Sequence, residues 1–89
     1  MHAVVVRVSI SDAETAQKGL EERVVPRVSQ LPGFVAGYWT RSDDRSNGQS
    51  MIVFESEDAA RTAAEGLGAN VPEGVTLEGA EVREVVASA

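Results

Sequence analysis

Very few side chains in these 89 residues are suited to covalent or acid–base chemistry. His2 is the only histidine and there is no cysteine. An acid–base imidazole needs a pocket and an orienting partner, whereas His2 stands at the mouth of the first apolar stretch, where an exposed position is expected. Without a second histidine or any thiol, a Ser-His-Asp or Cys-His arrangement has no support, and neither a disulfide nor a thiolate metal site is available. Asp43, Asp44 and Asn47 are residue types found in calcium loops, but Arg45 takes the third position and Phe54 the twelfth, where oxygen ligands are required. That segment reads as a solvated turn, and no metal is expected. Gly66-Leu67-Gly68 lacks the further glycine and the basic residue of a phosphate cradle. What remains is Tyr38, Trp39 and Arg41. Two large amphipathic rings beside a guanidinium suit a pocket for an aromatic ligand. These three are the ligand-pocket candidates; the pattern names no catalytic or cofactor-binding residue.

The elements that must position them follow from the spacing of apolar residues. Over 1–10, Val4, Val6, Val8 and Ile10 share one face by the period of two, and Ala3, Val5, Arg7 and Ser9 share the other. With apolar residues on both faces, this is a central strand covered from two sides. Ser11-Asp12-Ala13-Glu14 has the pattern of a capping box, after which Ala13, Ala16, Leu20, Val24, Val28 and Leu31 recur at helical spacing. Pro26 falls inside that helix, where proline costs about 3 kcal/mol, so a kink or a break near Val25 is expected, with Pro26 opening a final turn. Leu31-Pro32-Gly33 ends the element and a strand over 34–41 follows. Asn47-Gly48 reads as the hairpin turn, because both residues tolerate positive φ, and the chain returns over 50–55. Within 34–41, Phe34, Ala36 and Tyr38 alternate with Val35, Gly37 and Trp39, a parity that a bulge at Gly37 would shift. Ser56 is the expected cap of a second helix, with Ala59, Ala60, Ala63, Ala64 and Leu67 as its apolar stripe. Gly66 and Gly68 end it, 70–74 form a loop, and 75–86 make a last strand with Gly79 as a bulge position.

The order β-α-β-β-α-β over 1–89 predicts a single domain of the α+β class. It is the order of a ferredoxin-like sandwich, a four-stranded antiparallel sheet with two helices on one face; right-handed crossovers put both helices there. The opposite face would be bare. It would carry Val5, Val35, Trp39, Met51, Val53, Val82 and Val86, more contiguous apolar surface than a soluble monomer normally exposes. A chain this short buries only roughly 60–65% of its unfolded surface, and without cysteines oligomerisation is the remaining route to a larger core. A homodimer through this face is the expected solution.

The same order of elements, with Val24-Val25-Pro26-Arg27, Pro32-Gly33-Phe34-Val35 and Gly37-Tyr38-Trp39, resembles the dimeric α/β-barrel superfamily, and within it small proteins of the antibiotic-biosynthesis-monooxygenase type. The likeness spans nearly the whole chain, and the motifs that carry it are structural. It implies two sheets packed face to face into a barrel, with a cavity between each sheet and its own helices. It implies no single activity, because the superfamily holds cofactor-independent monooxygenases, haem-degrading enzymes and isomerases. Haem-processing members use a histidine ligand from the helical layer, and no residue between Asp58 and Leu67 is histidine. Cofactor-free oxygenases position an electron-rich phenol whose anion reacts with oxygen. Tyr38 would face such a pocket from the helix side, with Trp39 and Arg41 on the dimer side unless Gly37 bulges. Those oxygenases also recruit an asparagine; only Asn47 and Asn70 exist here, both expected in loops.

Charge narrows the partners. A net charge of −6 with only eight scattered Lys and Arg repels a phosphate backbone, so no nucleic acid is expected. No apolar run approaches a membrane span and the first residues lack the layout of a secretory signal, so the cytoplasm is the expected location. Three functional readings follow: a homodimer binding a small hydrophobic or aromatic molecule between sheet and helices, a cofactor-independent monooxygenase acting on an aromatic polyketide-like substrate, or a structural or regulatory dimer with no pocket.

Overall fold

The valine-rich start of the chain becomes the centre of the sheet. In the computed structural model, which describes residues 1–69 and 71–89, strand β1 (His2–Ile10) pairs antiparallel with β3 (Asn47–Phe54) on one side and β4 (Val75–Glu84) on the other. Strand β2 (Phe34–Arg41) borders β3, giving the order β2-β3-β1-β4 of a ferredoxin-like fold. Val4, Val6, Ile52 and Phe54 form one buried cluster with Val28 and Ala60, one from each helical segment. Both helices therefore cover the same sheet face, as the crossover rule requires.

The first helical segment is α1 (Ala13–Gly19), a π-helical turn (Leu20–Val24) and α2 (Val25–Val28). Its cap is Asp12 rather than Ser11: the Asp12 carboxylate accepts from the Thr15 amide at 3.2 Å and from the Thr15 hydroxyl at 2.8 Å. The hydroxyl bond, then the amide bond, hold the Asp12 pKa below its ordinary value. The π turn has a cause in the sequence. Pro26 has no N–H to donate, and in a regular helix its ring meets the carbonyl four residues back. Here the Val25 N–H donates to the Leu20 carbonyl, a five-residue step, and Pro26 falls in the first turn of α2. The expected break thus takes the form of a widened turn.

Gly33 (φ +80°) stops this layer, and a Cβ there would sit 2.9 Å from Ala59 Cβ. The hairpin turn differs from the expected one. Asn47 and Gly48 lie in β3; the reversal is made by 42–46, with Arg45 at φ 62°. Asp44 organises it, accepting from the hydroxyls of Ser42 and Ser46 at 2.7 Å each and from the Ser46 amide at 3.0 Å. These bonds, the one from Ser42 foremost, lower the Asp44 pKa to about 2. Gly48 is needed for another reason, because a Cβ would meet the Thr40 carbonyl oxygen at 2.8 Å.

Helix α3 (Glu57–Gly66) begins on Ser56, whose hydroxyl accepts from the Ala59 amide at 3.1 Å, as expected. Its alanines bring it close to the sheet: Ala60 is fully buried, beside Phe54 and Val4, which are also fully buried. Phe34 meets Phe54 edge to face, with ring centroids 6.2 Å apart, a favoured aromatic geometry. His2 is not an exposed residue. Its side chain is 22% accessible and its Nε2 lies 3.7 Å from the Glu57 carboxylate. Among the described residues no helix is long and apolar enough to cross a membrane.

Two bulges reset which residues face the helices. In β2, Phe34 pairs with Phe54 and Ala36 with Val53, so Val35 is the extra residue. In β4, Arg7 pairs with Gly79 but Val8 with Leu77, which makes Glu78 the extra residue, next to the expected Gly79. A bulge reverses the alternation beyond it. Gly37, Trp39 and Arg41 consequently share the helix side with their partners Ile52, Ser50 and Gly48, and Tyr38 goes to the open side opposite Met51. Trp39 and Tyr38 are thus exchanged relative to the sequence expectation, because the bulge comes two residues before Gly37. Val82 also leaves the open face: it pairs with Val4 and packs against the core. Val86 lies past the end of β4 and is 88% exposed. The open face keeps Val5, Val35, Met51 and Val53 and gains Tyr38, with Arg7, Glu81 and Arg83 among its polar residues.

Candidate functional site

The layer between sheet and helices is solid at one end and hollow at the other. Beneath α3 the space is filled by Phe34, Phe54, Val4 and Ala60. Beneath the first helical segment, where β1 and β2 end and β3 and β4 begin, a cavity of about 340 Å³ remains. The reason is a deficit of side-chain volume. The helix presents Ala13 and Ala16 towards this end and the sheet presents Gly48, so small residues on both walls leave a gap. Under α3 the small side chains let the helix approach the sheet, and Ala60 is fully buried there.

Apolar walls come from Val6, Val8 and Ile10 of β1, Val75 and Leu77 of β4, and Leu20 and Val24 of the π turn. The polar and aromatic groups come from the hairpin and α1: Trp39, Thr40 and Arg41 from β2, Gln49 and Ser50 from β3, and Gln17. The lining includes no carboxylate, and Arg41 is its one formal charge among the described residues. Among those residues no ion pair involves Arg41. A volume of this size lies within the roughly 300–1,000 Å³ of small-molecule pockets, which are mostly apolar with a few polar groups.

Trp39 has an unusual seat. A Cβ on Gly37 would lie 2.7 and 2.8 Å from two carbons of its six-membered ring, and 3.6 Å from Phe34. The indole therefore folds back along its own strand, over Gly37 and beside Phe34, and borders the cavity with what remains of its surface. Of the three sequence candidates, Trp39 and Arg41 come together at the cavity. Tyr38 does not: it is 69% exposed on the opposite sheet face. Of the two asparagines, Asn47 lies in β3 and outside the lining, and Asn70 is outside the described residues. The lining residues Ala16, Leu20, Val24 and Ser50 were not singled out as site residues, since at helical or strand spacing they read simply as core or strand. Their spacing carries no separate signal, because Ala13, Ala16 and Gly48 come onto facing walls only in the folded chain.

A second, outer hollow of about 580 Å³ runs between α2 and α3, lined by Leu31, Ala59 and Ala63 with Arg23, Arg27 and Asp58 at its polar positions. It shares Val24, Val28, Leu67, Val71 and Pro72 with the inner cavity, so the two meet along that wall. His2 lines neither. Among the described residues no three of His, Cys, Asp and Glu are grouped as metal ligands.

No protein-family model matches the chain and no curated protein matches it significantly. Solved structures do. SnoaB, a cofactor-independent oxygenase from Streptomyces nogalater, superposes with a TM-score of 0.71 at 21% identity, covering 98% of this chain and 94% of that one. This chain has a ferredoxin-like fold, the one these solved structures share. A dimeric ferredoxin-like protein from an uncultured marine organism gives a TM-score of 0.62 at 10% identity, covering 99% and 97%. The heme-degrader MhuD from Mycobacterium tuberculosis gives 0.51 at 23% identity, covering 97% and 98%. Identities this low carry the architecture and leave the chemistry to the residues of the cavity.

Proposed function

We propose that this protein is a cofactor-independent monooxygenase acting on an aromatic polyketide-like substrate, working as a homodimer. The observation that carries the proposal is the sheet–helix cavity with Trp39 on one wall and Arg41 as its one charge among the described residues. The name of SnoaB supports the reaction class, and the residues fit it. A phenolic ring system stacks on the indole, and its oxyanion is stabilised by Arg41 with help from Gln17 and Ser50, so the electron-rich anion is held away from bulk water. In the reaction the substrate anion gives an electron to dioxygen and the two radicals combine at the reacting methylene carbon as a peroxide. Loss of water then leaves one oxygen atom as a carbonyl and the other in the water, with the methylene hydrogens balanced. Among the described residues the cavity offers no histidine or carboxylate as a base, so the first proton passes to solvent and the substrate must itself be acidic. Haem degradation is a weaker reading, because His2 lies away from both hollows.

The open sheet face supports the dimer. Val35, Met51 and Tyr38 are 46%, 48% and 69% exposed there, and a second copy would bury all three together.

Oxygen uptake with 1,8-dihydroxyanthrone, corrected for uncatalysed oxidation, tests the reaction. Wild type should exceed the background, with Trp39→Ala and Arg41→Gln reduced and Tyr38→Phe unchanged; uptake at the background rate with a panel of such phenols refutes it. The missing base favours one second reading, a binding protein for the same ligands without turnover, which predicts saturable binding and no uptake. The cavity itself speaks against a purely structural dimer.

A further inference from the structure

The boundary of the cavity on the β2 side is set by two residues of one strand. Gly37 has neither a left-handed φ nor a tight turn to explain it. What it provides is room. Any side chain would begin at a Cβ 2.7 Å from the Trp39 ring, where atoms cannot coexist, and Phe34 at 3.6 Å blocks retreat further along the strand. Because β2 is an edge strand, the displaced indole has two ways to go: outwards past the edge into water, or inwards to the hollow. An indole is mostly apolar, so the inward move is favoured.

We propose that Gly37 is the specificity-determining residue of the cavity: it seats Trp39 against the strand and so keeps the hollow deep enough for a planar system of three fused rings, and any larger residue at this position would turn the indole into a plug that admits only smaller ligands. This rests on the ligand-binding part of the proposed function and not on turnover. The glycine sets substrate size without touching the substrate. It acts through the aromatic residue two positions on.

Calorimetric titration with 1,8-dihydroxyanthraquinone (three rings) and 1,8-dihydroxynaphthalene (two rings) tests it. Wild type should bind both. Gly37→Ala should weaken the three-ring ligand at least ~10-fold, the scale of a steric mismatch in an apolar pocket, and leave the two-ring ligand within about 3-fold. Gly37→Ala with Trp39→Ala should bind the three-ring ligand as Trp39→Ala alone does, because the ring that would form the plug is gone. Trp39 is the only tryptophan, so iodide quenching of its fluorescence follows the indole directly, and Gly37→Ala should make it no more accessible. The proposal is overturned if Gly37→Ala binds the three-ring ligand like wild type, if its tryptophan becomes more quenchable, or if the double variant binds that ligand more weakly than Trp39→Ala alone. Should Gly37→Ala not fold, the double variant must, since the colliding ring has been removed; a double variant that also fails to fold overturns the proposal. Discrimination between the ligands without oxygen uptake would refute the oxygenase alone, whereas uptake without discrimination would refute the role of Gly37 alone.

Discussion

Replacing Ala16 by leucine asks whether the cavity is open in solution, and its two outcomes differ in sign. Ala16 is 7% exposed on α1 and lines the hollow. Leucine and alanine have similar helix propensity, so the backbone is indifferent. The added isopropyl carbons would enter the hollow, and at about 0.8 kcal/mol per buried carbon they contribute at most about 2.4 kcal/mol. Lost rotamer freedom removes about 0.5–1 kcal/mol of this. A net gain of about 1.5 kcal/mol corresponds to a rise in Tm of roughly 6–12 °C for a domain of this size. Ligand binding should fall in the same variant, since the space is taken, which is the usual opposition between stability and a working pocket. Thermal melts at fixed protein concentration, with 1,8-dihydroxyanthraquinone titrations on the same samples, give both numbers. If the walls are closed in solution, the extra carbons overpack the layer and cost about 1–3 kcal/mol. A lower Tm would therefore refute the open cavity and the function built upon it.

Three further outcomes follow from the same geometry. At the solid end, Phe54→Ala removes a fully buried ring and its contact with Phe34; a loss of about 3–5 kcal/mol is expected in urea melts. Asp44 titrates at about 2 when folded against 3.8 when free, so its contribution is complete above the free value and disappears as pH falls through the folded one. The hairpin should accordingly loosen between about pH 4 and 2, visible as faster amide exchange over 42–47, and Asp44→Asn should show that exchange already at neutral pH. On the open face, Met51→Lys with Tyr38→Lys puts like charges on a patch that a second copy would bring against the same patch, and the variant should sediment as a monomer with its fold retained; an unchanged sedimentation coefficient would remove this face from the interface.

Much of the architecture was readable in residue types and spacings. The two-sided valine strand, the helical stripe from Ala13 to Val28, the Pro32-Gly33 stop and the Ser56 cap are local signals, each with a local physical cause, and their order leaves few topologies once crossovers must be right-handed. The widened turn before Pro26 belongs with them, because a missing N–H is a property of the residue itself. The site was only half readable. Trp39 and Arg41 could be chosen by chemistry, but the face they occupy depends on Val35 being an extra residue opposite β3, and nothing within 34–41 announces it. A bulge is a decision about pairing between strands, and one unpaired residue reverses every side chain after it. That is why Tyr38 and Trp39 changed places and why Val82, beyond the bulge at Glu78, returned to the core. The cavity lies further still from sequence, since a void is the difference between the volumes of walls distant in the chain. Ala13, Ala16 and Gly48 are ordinary residues one at a time, and they leave a space only because folding sets them face to face.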